Sequence, residues 1–265
     1  MLPGAQVRMQ SLARTAPGEN DRAGAFLQTD LKPAAGGPPT LLRHLTDSEA
    51  AEVLSKGKTR VFYRGNTLFE QGKPHDGIYV VESGRVRVFY TAPSQREITL
   101  AYWHPGNFVG GPEVFGKGLH IWSGVAATNV TALHLPSAIL KSLVMKLPGL
   151  GIGIIEGLAF KGKCYSMMAQ MLGTRSVTER LGHLLLHLAD LYGVEDADGT
   201  FIAARFTHED IAHMVGATRQ WVTVSLKRLS VQGILKLKPL GIVIASANAL
   251  AAIRDGASGK DCEST

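Results

Sequence analysis

Between residues 218 and 227 the side chains Thr218, Arg219, Gln220, Thr223 and Lys227 fall at helical spacing. An arginine can pair bidentately with O6 and N7 of guanine, and a glutamine with N6 and N7 of adenine. Threonine hydroxyls and a lysine two turns further on suit phosphate oxygens. Lys236 follows at the start of an alternating run and is predicted to meet the phosphate backbone. Residues 216–245 carry a charge of +5 with no acidic residue, whereas residues 174–215 carry −4. Cations concentrated in this way are the electrostatic footprint of a protein that grips a polyanion such as double-stranded DNA.

These side chains need a frame, and the flanking sequence supplies one. Thr207-His208-Glu209-Asp210 reads as a helix start, with Thr207 as the cap and acids in the first turn. Ile211, Ala212, Met214 and Val215 give that helix a buried side, and Gly216-Ala217 forms a tight turn before a second helix opens at Thr218. This is the spacing of a helix-turn-helix. Trp221 is expected to pack rather than read bases. Ile234 to Ile244 alternates as a hairpin, a wing. Upstream, residues 175–193 form an amphipathic helix with Leu181, Leu184, Leu185 and Leu188 on one face, and Glu195-Asp196-Ala197-Asp198-Gly199 reads as a separating acidic loop.

The first half of the chain has a different texture. Residues 1–40 hold five prolines and five glycines and read as a mobile arm. From Lys58 to Leu135 short β-rich runs alternate with turn residues, the pattern of an antiparallel barrel or jelly roll. Beyond Pro148 a long helix is predicted, in which Ile154, Leu158, Lys161, Tyr165, Met168 and Leu172 recur at 4-3-4-3-4 spacing. That spacing is a coiled-coil seam, so the helix is expected to hold a homodimer through Ile154, Leu158, Tyr165, Met168 and Leu172. An internal packing helix is the competing reading. The expected organisation is an arm (1–40), a sensing barrel (41–147), a dimer helix with its hinge (148–173), a winged helix-turn-helix (174–246) and a tail (247–265).

Composition narrows the classes. The chain has 265 residues, 45% hydrophobic, with a net charge of +6. Its two cysteines, Cys164 and Cys262, lie far apart, which speaks against disulfide scaffolds and structural zinc and fits a cytoplasmic protein. No secretory h-region opens the sequence, and no run reaches the roughly 18 apolar residues of a membrane span. Neither a membrane role nor an enzyme is expected. A cupin metalloenzyme would share the barrel, but His75, His104, His120 and His134 form no HxH pair.

Residues 69–84 (Phe69-Glu70-Gln71-Gly72 through Glu82-Ser83-Gly84), Pro105-Gly106-Asn107-Phe108-Val109-Gly110, the long helix and Gly216-Ala217-Thr218-Arg219-Gln220 together resemble the cAMP receptor protein/fumarate-nitrate regulator (CRP/FNR) superfamily. The resemblance covers about Lys58 to Ser246. It implies an α+β fold with a cyclic-nucleotide-binding-like jelly-roll barrel, a dimerisation helix and a winged helix-turn-helix on a palindromic operator. RNA polymerase becomes a partner if the protein is an activator. It also implies an effector site made by Gly110, Gly111, Pro112, Glu113, His120, Trp122 and Lys161. Members that bind cAMP carry a Glu and an Arg-Ser pair where this chain has Gly111 and Ile121-Trp122, so an effector other than cAMP is expected. An iron–sulfur cluster lacks its thiolates. Haem on His75, His104, His120 or His134 stays open, as does constitutive DNA binding without an effector. By similarity to the 2-oxoglutarate-binding branch, His120 and Lys161 would supply cations to an anionic effector and Trp122 a stacking face. A surface His120 and a Lys161 merely snorkelling from the seam are the alternatives.

Overall fold

The computed structural model describes residues 39–239 and 241–256. Most of the expected arm, Cys262 and the end of the expected tail lie outside the described residues. The chain forms two compact units, in the main residues up to Ser166 and residues from Met167 onward.

The first unit starts with helix α1 (Asp47–Lys56), opened by a Thr46/Glu49 capping box. Two four-stranded antiparallel sheets follow. One has the order β1 (Lys58–Phe62), β8 (Val130–Pro136), β3 (Gly77–Ser83), β6 (Phe108–Val109). The other has the order β2 (Thr67–Phe69), β7 (Ser123–Ala126), β4 (Val86–Thr91), β5 (Glu97–Trp103). Apart from β4 and β5, strands consecutive in sequence are not neighbours in either sheet, as a jelly roll requires. In β4, Val86 and Val88 point inward while Arg87 and Phe89 are partly exposed, the alternation expected for a half-buried strand. Val81, Val86, Val88, Trp103 and Ala132 build the core between the sheets.

Helix α2 (Ser137–Lys146) precedes helix α3 (Pro148–Thr174), which is 27 residues long. Leu41, Val53, Ile78, Leu135, Leu140, Leu150 and Ile154 join these helices to the barrel in a second core. The glycines of α3 allow the approach: a Cβ on Gly153 would lie 2.1 Å from the Leu41 carbonyl oxygen, and one on Gly157 would lie 2.5 Å from the Phe108 ring. The helix covers the expected residues, and part of its expected dimer seam is already covered by the chain itself. Ile154, Lys161 and Met168 are buried within the chain, and Leu158, Tyr165 and Leu172 are half-buried. The exposed stripe of α3 lies one residue on, at Ile152, Ile155, Ala159, Gly162, Ser166, Ala169 and Gly173. Both stripes repeat every 3.5 residues. The chain buries the larger one on itself.

In the second unit α4 (Val177–Tyr192) carries the predicted leucine face, with Leu181, Leu184, Leu185 and Leu188 buried. The acidic segment expected as a loop is instead a hairpin, β9 (Gly193–Asp196) and β10 (Gly199–Ile202), because its backbone finds ladder partners. The wing strands β11 (Leu235–Lys238) and β12 (Gly241–Ile244) extend it into one sheet of order β11-β12-β10-β9. Between these hairpins lie α5 (His208–Val215) and α6 (Arg219–Val231). The expected tail begins with helix α7 (Ala247–Arg254), whose Leu250 and Ile253 are buried and which packs against α4. Among the described residues no single helix is long and apolar enough to cross a membrane.

Candidate nucleic-acid interface and effector face

Local chemistry fixes the helix-turn-helix. The Thr207 hydroxyl accepts the Asp210 amide at 3.0 Å while the Asp210 carboxylate accepts the Thr207 amide at 2.8 Å. Gly216 ends α5 in the left-handed conformation (φ 69°, ψ 46°), which glycine adopts without a Cβ penalty. Thr218 then caps α6, its hydroxyl accepting the Trp221 amide at 3.2 Å. Val222, Ser225, Leu226 and Leu229 are buried, which turns Thr218, Arg219, Gln220, Thr223 and Lys227 outward; all five are exposed. Trp221 is half-buried.

Two of the predicted contacts have partners of their own. Thr223 donates to the Arg219 carbonyl at 3.0 Å and sits 2.8 Å from Nδ1 of His208, tying α6 to α5. Lys236 donates to Asp198 at 2.6 Å. The sequence reading also missed Arg180, which it counted only as charge. Its buried guanidinium donates to the carbonyls of Val215 at 2.8 Å and Arg175 at 2.9 Å, satisfying helix-end acceptors around the module.

In the barrel, the predicted effector residues divide into three places. His120 is buried beside Gly110 and Gly111, its ring 4.8 Å from that of Phe69 and 4.7 Å from that of His75. It is not a surface turn residue. Both nitrogens of His75 and Nδ1 of His120 lack a well-formed hydrogen bond, and burial pushes both residues below the ordinary histidine value. His134 stacks on Tyr79 and brings Nε2 within 3.3 Å of Asp76, while the backbone of His104 belongs to the turn closed by Asn107. Lys161 keeps different company. Its ammonium donates to the Phe108 carbonyl at 2.8 Å and lies 3.5 Å from the centroid of the Trp103 ring. It does not snorkel to solvent, and burial pushes its pKa down to about 7. Trp122 packs on Tyr165 at 5.3 Å, and burial pushes the Tyr165 hydroxyl well above the usual tyrosine range. Pro112 and Glu113 are exposed, in the loop before β7. Among the described residues no group of three or more His, Cys, Asp or Glu side chains is arranged to hold a metal ion.

Two family models match the chain: a cyclic nucleotide-binding domain over residues 59–146, and a Crp-like helix-turn-helix domain over residues 179–253. The chain belongs to the CRP/FNR superfamily. A CRP-like cAMP-activated global transcriptional regulator of Mycobacterium tuberculosis is 28% identical over 191 residues, covering 72% of this chain and 85% of that protein. The global nitrogen regulator of Synechococcus elongatus is 28% identical over 164 residues, 61% of this chain and 74% of that one. The solved structure of the c-di-GMP-responsive regulator CLP of Xanthomonas campestris has the same fold, with a TM-score of 0.69 at 22% identity over 76% of this chain and all of that one.

In this CRP/FNR regulator the expected effector residues differ in backbone conformation and in exposure. Gly111, in the loop beside His75 and His120, has a φ of 139°, one that side chains rarely adopt. Ile121 is 53% exposed, and Trp122 is engaged with Tyr165.

Proposed function

We propose that this CRP/FNR transcription regulator is a cytoplasmic homodimer that reads a palindromic operator with α6 and answers to a small-molecule effector other than cAMP. The exposed, capped start of α6 carries the reading. Arg219 and Gln220 lie in its first turn, free of buried packing, where a recognition helix meets base edges. Thr218 and Lys227 flank them as phosphate contacts. Dimerisation uses the exposed stripe of α3 rather than its buried one. Ala159, Gly162, Ser166, Ala169 and Gly173 let two such helices approach closely, with Ile152 and Ile155 adding apolar area. Selection of bound duplexes from a random library tests the reading. Enrichment of an inverted repeat with half-sites about 10 base pairs apart is expected, and recovery of unpatterned sequence would refute it.

Lys161 favours a second reading, in which DNA binding is constitutive. An ammonium already engaged by the Phe108 carbonyl and the Trp103 ring fills part of the place where an effector's charge would act. The two readings separate in an operator-binding assay run with and without a metabolite extract.

A further inference from the structure

The wing does not present free cations. Lys236 donates to Asp198 Oδ1 at 2.6 Å, and Lys238 donates to Asp196 Oδ1 at 2.8 Å and lies 3.4 Å from Asp198 Oδ2. These are the two lysines of the hairpin 235–244. Their partners lie at the end of β9 and in the turn to β10, where the Asp198 amide donates back to Asp196 at 3.0 Å and holds that carboxylate in place. We propose that this acidic turn is an internal stand-in for DNA phosphate, so that the wing joins a duplex only by exchanging carboxylates for phosphates. The proposal rests on the DNA-binding reading above and adds a control on it.

The chemistry fits. The pairs hold Asp196 and Asp198 below the usual carboxylate range, chiefly through the hydrogen bonds from Lys238 and Lys236, so both carboxylates stay charged at neutral pH. The four side chains remain open to solvent, with Lys236 53% and Asp198 37% exposed, so a phosphate can reach the lysines. A free lysine that meets a phosphate releases a condensed counterion and steepens the salt dependence of binding by about 0.9 in log–log slope. On a duplex of arbitrary sequence, a lysine that stays on its carboxylate meets no phosphate and releases no counterion. Its net contribution to the slope is near zero. The turn therefore lowers the sequence-independent share of affinity and leaves the base contacts of α6 to decide where the protein stays.

The test measures binding of the full chain to a fluorescent duplex of arbitrary sequence across a salt series. The variants are Asp196→Asn/Asp198→Asn, Lys236→Gln/Lys238→Gln, the four combined, and Glu195→Gln as a control for loss of charge from the same hairpin. The aspartate pair is expected to steepen the slope by about two and to tighten binding by about fivefold per freed lysine near 150 mM salt. The lysine pair should change the wild-type slope little, yet cancel the gain when combined with the aspartate variant. Glu195→Gln should leave the slope unchanged. If the lysine pair alone flattens the wild-type slope by about two, the lysines already sit on phosphate and the proposal fails. An aspartate variant no steeper than wild type, or no steeper than Glu195→Gln, overturns it as well. The lysine arm reads the same contact should the aspartate variant fold poorly. Wild-type protein that binds no duplex at any salt would instead refute the DNA-binding reading itself.

Discussion

The two units hold their cations in opposite ways. In the second, Arg219 and Lys227 stand in solvent on a capped helix, and Lys236 and Lys238 rest on surface carboxylates. In the first, Lys161 is sunk between helix and barrel, satisfied by one carbonyl and an indole face. An exposed cation can trade its partner for a phosphate at small cost, since surface ion pairs contribute only about 0–1 kcal/mol. A buried ammonium cannot leave without opening the core. The difference separates a surface made for exchange from an interior made for support, and it assigns Lys161 to the support of α3 against the barrel before any role in sensing.

The largest effect that sharpens this contrast lies on α3. Ile155→Glu with Ala159→Glu is expected to convert dimer to monomer in sedimentation while the thermal midpoint of the isolated fold stays near wild type. Met168→Glu should do the reverse in kind, unfolding the chain, because it buries a charge at a position only 4% exposed. Were both variants to behave alike, the division of α3 into an inner and an outer face would be wrong.

Next in size is Lys161. A lysine pushed down to about 7 when folded and near 10.4 when unfolded binds fewer protons in the native state. Stability is therefore expected to rise with pH from about 7 toward 10, by a few kcal/mol. Lys161→Met should flatten that rise and be more stable than wild type at pH 6. Urea titrations at pH 6 and 9 check both, and a Met variant less stable at pH 6 would show that the ammonium is needed where it sits.

Arg219→Ala and Gln220→Ala should each cost about 1–3 kcal/mol on a selected operator and far less on scrambled DNA. Equal losses on both would move the reading edge elsewhere on α6. The smallest effect concerns His75 and His120. Burial lowers both, so the unfolded chain takes up protons first; the stability they contribute is complete above about pH 6.5 and is lost as the pH falls below it. In acid melts, His120→Phe, which can keep the stack on Phe69, should soften this loss. An unchanged acid limb would remove His120 as a cause.

Legibility in the sequence followed the range of the interactions. The helix-turn-helix was readable because Thr207, Gly216 and Thr218 act within a few residues of themselves, and the charge contrast across residue 216 lies in the linear chain. The β-runs of the barrel were readable for the same reason. The α3 register was not. A 3.5-residue repeat fits both the row through Ile154 and Met168 and the row through Ile155 and Ala169, and side-chain size alone pointed to the row that the chain itself partly covers. The hairpin at 193–202 hid behind its acids, since the ladder and the wing lysines that stabilise it come from about 40 residues downstream. Helix α7 was missed although Ser246 caps it by accepting the Ala249 amide at 3.3 Å, a signal as local as those recognised upstream.

The glycines of α3 bear on the order in which the molecule assembles. Six occur between Pro148 and Thr174, each weakening an isolated helix by about 1 kcal/mol relative to alanine. Such a segment has too little intrinsic helicity to persist on a free chain. The carbonyl of Leu41 and the ring of Phe108, against which Gly153 and Gly157 lie, must be in place before it can settle. Barrel formation is therefore expected to precede the helix and, in the proposed dimer, the helix to precede pairing of subunits. Refolding should show an early phase independent of protein concentration, then a second-order phase, and nascent chains should stay single until the barrel has closed.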